Sequence, residues 1–337
     1  STFLFNLAGS SNLALKKYEI AIQNFNIACK INSQIPEIYF NLGLTYYLMG
    51  KIEEAITSFK KALHIKPDYS DAYCNLGMAQ ETQGDFEGAI ISFKNSIKIN
   101  PNHVGSYFNL GNSFAKIGKL NVAVVYYKKA IFLNPNYYEA YINLGNVLES
   151  RGKSKASVFY FEKAVKIKPK SYEGLCNLSH AFQEIGDASN AIKNAKLAIK
   201  LDRSKSEAFQ NIGAVYFKLK NYFLAKKYYE NAIKENVISS DLFTALAVCN
   251  MNAFEFSEGI KYLDMSFKKL LVQVNDSQKT FMSISQIFFC LNYCIDYSAE
   301  EIFCYYLKFD QKFGIPLQKH WKPFPQIKKH KTKLKIG

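Results

Sequence analysis

Residues Glu37–Asp68 read EIYFNLGLTYYLMGKIEEAITSFKKALHIKPD, and Glu139–Pro169 read EAYINLGNVLESRGKSKASVFYFEKAVKIKP. The two segments align residue for residue at a spacing of three times 34. Around them the small residues Gly9, Gly43, Gly77, Gly111, Gly145, Ser179, Gly213 and Ala247 follow one another at 34-residue intervals. Such a period marks an array of supersecondary units, none of which can bury its apolar face alone. The rest of the pattern keeps register. A large apolar residue, mostly aromatic, stands four residues before each small one, as at Tyr39, Tyr73, Tyr107 and Tyr141, and alanine stands twelve after it, as at Ala21, Ala55, Ala89 and Ala123.

These residue types have mechanical reasons. Two helices that cross closely need a small side chain at the contact, and an aromatic one turn away fills the groove beside it. Gly50, Gly84, Gly118, Gly152 and Gly186 come where the first helix of each pair must end, in the left-handed cap that glycine adopts at little cost. Pro67, Pro101, Pro135 and Pro169 stop the second helix, because proline lacks an amide hydrogen and restricts the residue before it. The predicted fold is therefore all-α, a right-handed superhelical solenoid of helix pairs with a short helical C-terminal extension.

The quoted segments resemble tetratricopeptide repeats from Thr2 to about Phe267. The expected organisation is a solenoid over 2–270 of about eight repeats, the last degenerate, then a helical junction over 271–318 and a basic linker over 319–337. Departures gather late: Arg203 and Val237 replace the terminal proline, and Ala195 replaces a large aromatic. The resemblance implies a concave groove lined by the first helix of every pair, suited to extended peptides.

On a helical wheel the residue two before each glycine lies nearly opposite the core arc. It is asparagine six times: Asn41, Asn75, Asn109, Asn143, Asn177 and Asn211. A primary amide both donates and accepts, so a row of them along the groove can hold the N–H and C=O groups of an extended peptide with broad sequence tolerance. The same amides could instead bridge neighbouring repeats or face water; unbroken repetition favours binding. Glu37, Asp71, Glu139, Glu173 and Glu207 open the first helices. They would give the groove an acidic rim, although carboxylates at a helix start also complement its dipole. The inner face lacks the paired Lys and Arg of a carboxylate clamp.

The 337 residues carry a formal charge of +15, with eight lysines and no acid after Asp310. Lysines spread along repeat helices read as a solvated face rather than a nucleic-acid surface. Trp321 and Phe324 are the only stacking partners for the basic tail, so RNA binding is a minor reading. Seven cysteines without a CxxC pair fit buried, reduced thiols and a cytoplasmic or nucleocytoplasmic setting. Cys290, Cys294 and Cys304 have no histidine at zinc spacing, so no metal site is expected. The apolar run from Phe281 to Ile295 is interrupted by polar residues and is too short for a membrane span. The chain opens on Ser1 inside a repeat-like helix, which suggests a fragment or processed product.

After Leu271 the period ends and the text reads as two further helices. LNYCIDYSAEEIF (residues 291–303), KFDQKFG (308–314) and the closing KLKIG (333–337) resemble the join between repeats and catalytic region in soluble protein O-glycosyltransferases of the O-GlcNAc transferase and SPINDLY type. That resemblance implies that the six asparagines hold an acceptor peptide's backbone, and that the parent enzyme uses a nucleotide sugar, UDP-GlcNAc or GDP-fucose. It implies no cofactor and no catalytic group within this chain. His64 and His103 lie near helix ends, His180 faces the groove alone, and no base pairs with a nucleophile at readable spacing. The expected function is a repeat region that presents acceptor proteins to a catalytic domain absent from this chain. The alternative is a free-standing scaffold for complex assembly. The expected partners are proteins or peptides in the groove, with no nucleic acid and no membrane; a homodimer through the repeats fits the same surfaces.

Overall fold

A computed structural model describes residues 1–234 and 240–252, together with scattered residues between 258 and 311. Every regular element among them is a helix. The chain divides into two compact units, Ser1–Asp202 and Arg203–Gly337. The expected junction over 271–318 and linker over 319–337 lie almost entirely outside the described residues.

The first unit is six helix pairs in succession. Its first helices are α1 (Thr2–Ala14), α3 (Pro36–Leu48), α5 (Ser70–Gln83), α7 (Val104–Lys116), α9 (Tyr138–Ser150) and α11 (Tyr172–Glu184). Its second helices are α2 (Tyr18–Ile31), α4 (Ile52–Ile65), α6 (Phe86–Ile99), α8 (Leu120–Leu133), α10 (Ser154–Ile167) and α12 (Ala188–Leu201). From α2 to α11, each helix packs on the one before and the one after. First helices also touch the next first helix along the stack, which puts α1, α3, α5, α7, α9 and α11 on its inner side. The second unit opens with α13 (Glu207–Lys218), α14 (Tyr222–Lys234) and α15 (Ser240–Asn252), packed in the same succession.

The helix boundaries follow the punctuation. Helices α4, α6, α8 and α10 each end two residues before their proline. The glycines after the first helices are left-handed, with φ of 76° at Gly50 and 90° at Gly84. Lys16 and Lys220 stand at the equivalent places and adopt the same conformation, with φ of 58° and 57°. Side chains close other ends: Asp85 accepts from the backbone N–H of Gly88 at 2.9 Å, and Asp187 from that of Asn190 at 3.0 Å.

Within each pair the small residue of the first helix lies against a ring from the second helix, sixteen residues on. A Cβ added at Gly43 would sit 2.7 Å from Phe59, and one at Gly77 would sit 2.6 Å from Phe93. Phe25, Phe59, Phe93 and Phe161 are fully buried by this contact, and each contributes roughly 1.5–3 kcal/mol through burial. The aromatic four before the glycine, which the pattern makes prominent, is only half-buried at Tyr39, Tyr73 and Tyr107. The sixth pair departs at both positions together: Ser179 replaces glycine and Ala195 replaces the ring, both fully buried. Ser179 then satisfies its hydroxyl on the carbonyl of Ala191 at 2.8 Å.

Candidate peptide-binding surface

The inner stripe of each first helix is built from residues one helical turn apart: the position six before the small residue, the asparagine two before it, and the positions one and five after it. Asn41, Asn75, Asn109, Asn143 and Asn177 are half-buried there, one in each repeat of the first unit after the first, where Leu7 takes the position. Asn211 belongs to the second unit and differs. At 9 % exposure it is buried, so the expectation that all six asparagines lie off the core fails at this one.

Four of the five in the first unit reach back to the preceding first helix. Asn143 Nδ2 donates to Asn112 Oδ1 at 2.8 Å, and Asn177 Nδ2 to Asn146 Oδ1 at 3.3 Å. Asn41 Nδ2 approaches Ser10 Oγ at 3.3 Å and Asn6 Oδ1 at 3.4 Å, and Asn109 Nδ2 approaches Cys74 Sγ at 3.7 Å. Asn75 turns instead to its own helix, donating to the Asp71 carbonyl at 2.9 Å. The amides therefore form rungs between repeats. These bonds use the NH2 end of a group that carries two donors and an acceptor oxygen, and they fix the direction in which that oxygen points. The rungs had a signal in the sequence, since Asn112 and Asn146 precede Asn143 and Asn177 by the same 31 residues.

Tyr127 joins the core to this surface. Its ring lies against Gly111 and its hydroxyl donates to Asn112 Oδ1 at 2.8 Å, the oxygen that also receives Asn143. Burial pushes its phenol above the ordinary value, an effect the hydrogen bond with Asn143 only partly offsets, so the group stays a donor.

Ionisable side chains extend the rungs. Lys116 Nζ lies 2.7 Å from Glu81 Oε1, and His180 Nδ1 lies 3.3 Å from Glu149 Oε2. His180 is thus partnered, contrary to the expectation that it stands alone; the partner lies on the neighbouring first helix, 31 residues earlier. Glu37, Asp71, Glu139 and Glu173 are exposed in the first turns, each one turn before its asparagine.

Serine, histidine and aspartate do meet at one place. Ser106 Oγ is 2.9 Å from His103 Nδ1, and His103 Nε2 is 3.0 Å from Asp71 Oδ1. No such partnership was readable in the sequence, because Asp71 comes from the preceding repeat. The constellation is structural. Ser106 is fully buried, 2.7 Å from Ser96 Oγ, and His103 Nδ1 accepts the Ser106 backbone N–H at 3.1 Å as the N-cap of α7. A buried hydroxyl offers no approach to a substrate. No cluster of metal ligands occurs among the described residues, and none of their helices is long and apolar enough to cross a membrane.

Comparison with known proteins accords with this architecture. The family described as TPR repeat matches residues 9–50, 45–84 and 111–152, and the tetratricopeptide repeat matches 70–103, 138–171, 172–205 and 206–236. This chain belongs to the tetratricopeptide-repeat family. Among solved structures, a tetratricopeptide repeat protein from Parabacteroides merdae is similar at 15 % identity with a TM-score of 0.59, over 75 % of this chain and 98 % of that one. MamA is similar at 27 % identity with a TM-score of 0.46, over 50 % of this chain and 92 % of that one. YrrB, described as a TPR protein with an unusual peptide-binding site, is similar at 20 % identity with a TM-score of 0.47, over 55 % of this chain and 95 % of that one. No curated protein matches the chain. Tetratricopeptide repeats generally bind proteins or peptides, and the inner side of the stack is where such arrays present an extended surface.

Proposed function

We propose that this tetratricopeptide-repeat chain is a scaffold that holds an extended polypeptide along the inner side of its first helices. The observation that carries the reading is the amide row from Asn41 to Asn177, one in each of five successive helix pairs and, at all but Asn75, oriented by its rungs. Amides at a fixed spacing suit the regularly spaced N–H and C=O groups of an extended backbone, whatever its side chains. The row is that of the first unit; Asn211, in the second, is buried.

The test is titration of the full chain with Ser/Thr-rich peptides, comparing wild type with the double variant Asn109→Ala, Asn143→Ala. Weaker binding of many sequences by a variant that keeps its helical content is the expected result. Equal binding by the variant would sink the role of the amides.

The finer form of this reading is acceptor recognition for a soluble protein O-glycosyltransferase, whose catalytic domain and nucleotide sugar would lie outside this chain. Its support is the resemblance in LNYCIDYSAEEIF, KFDQKFG and KLKIG, stretches that lie almost wholly outside the described residues. Reading the parent gene past the codon for Gly337 decides it. An α/β sugar-nucleotide domain is expected there, and a frame without one would leave the free-standing scaffold.

A further inference from the structure

The net charge of +15 conceals a division between the two sides of the first unit. Its second helices hold thirteen lysines and five glutamates, whereas its first helices hold seven carboxylates against a single lysine, Lys116. That lysine is already paired with Glu81. A basic protein thus presents an acidic inner face.

Helix dipoles account for only part of this. Carboxylates in the first turn, at Glu37, Asp71, Glu139 and Glu173, complement the positive helix start. Glu81, Glu149 and Glu184 lie in or next to the last turns of α5, α9 and α11, where the dipole disfavours negative charge. Glu81 and Glu149 answer to Lys116 and His180 of the next first helix, so the acidic character that the inner face offers a ligand rests on the exposed carboxylates of Glu37, Glu139 and Glu173.

We infer that the polypeptide bound along the inner side is a basic one, rich in Lys or Arg. This rests on the inner face being the binding surface, as proposed above. The exposed carboxylates of Glu37, Glu139 and Glu173 stand one turn before Asn41, Asn143 and Asn177, so a backbone held by the amides places its side chains beside them. Charges interact over about 8 Å at physiological ionic strength, less than the thickness of a helix, so the outer lysines are largely screened from a peptide in the groove. Local attraction therefore outweighs the repulsion that the overall charge suggests.

The experiment uses the full chain and three labelled peptides of equal length, alternating Lys with Ser, Gly with Ser, and Glu with Ser, each titrated at low and high salt. The Lys peptide binds tightest and the Glu peptide weakest, with the preference fading as salt rises. In the triple variant Glu37→Gln, Glu139→Gln, Glu173→Gln, affinity for the Lys peptide falls about five- to tenfold while the Gly peptide is unaffected. The outer variant Lys128→Gln, Lys129→Gln leaves Lys-peptide binding unchanged. If the Gly or Glu peptide binds as tightly as the Lys peptide, and this binding is lost in Asn109→Ala, Asn143→Ala, the charge inference falls and the groove stands. If no peptide binds, or binding ignores the asparagines, the groove reading falls with it.

Discussion

The hydroxyl of Tyr127 donates to Asn112 Oδ1 at 2.8 Å, so one side chain packs the helix pair with its ring and reaches the inner surface with its tip. The equivalent residues in the preceding and following pairs, Phe93 and Phe161, pack in the same way without a hydroxyl. Tyr127→Phe keeps the packing and removes one largely buried hydrogen bond. The expected loss is about 1 kcal/mol, measurable as a shift in urea midpoint. Weaker peptide binding should accompany it, because Asn112 then holds Asn143 alone.

Ser179 and Ala195 behave as a compensated pair. Ala195→Phe introduces a ring where the serine Cβ already stands, and overpacking of this kind costs about 1–3 kcal/mol. The double variant Ser179→Gly, Ala195→Phe restores the combination found at Gly145 and Phe161 and should recover most of that loss. A double-mutant cycle on unfolding free energies checks the coupling; additive effects would mean that the two sites do not share the contact.

Lys16 and Lys220 hold a left-handed conformation that costs an L-residue about 1–2 kcal/mol. Lys220→Gly should raise the unfolding free energy by up to about 1 kcal/mol, read as a higher urea midpoint, part of the relief being offset by the greater freedom of glycine in the unfolded chain. Lys16→Gly should act in the same direction. Gly84→Ala should do the reverse, since its φ of 90° suits no side chain although nothing lies nearby to clash.

Asp187 caps α12, and the Asn190 backbone and side-chain donors hold its carboxyl below the ordinary value. A depressed folded-state value means that the cap contributes stability above the unfolded carboxyl's titration and loses it as pH falls through the folded one. Asp187→Ala should therefore be less stable than wild type at neutral pH, and the two urea midpoints should converge on acidification. A difference that persists undiminished at low pH would show that the ionised form is not what caps the helix.

The period, the helix ends and the paired architecture were legible in the residues alone. Glycine, proline and the spacing of small and aromatic side chains act locally, within a turn or a helix pair, and their consequences follow from backbone sterics. The ring that meets each glycine was harder to name. Sixteen residues separate Gly43 from Phe59, and which of several aromatics fills the contact depends on how the two helices cross.

By itself the sequence determined that asparagine recurs at one position of successive first helices, and that carboxylates open most of those helices. Only the tertiary structure decided that Asn143 reaches Asn112, that His180 meets Glu149, that Ser106 is sealed behind His103, and that Asn211 is buried. The reason is the offset between neighbouring repeats. Contacts some 31 to 35 residues apart are set by how one pair stacks on the next, a rotation and translation to which the periodicity of a single helix is blind.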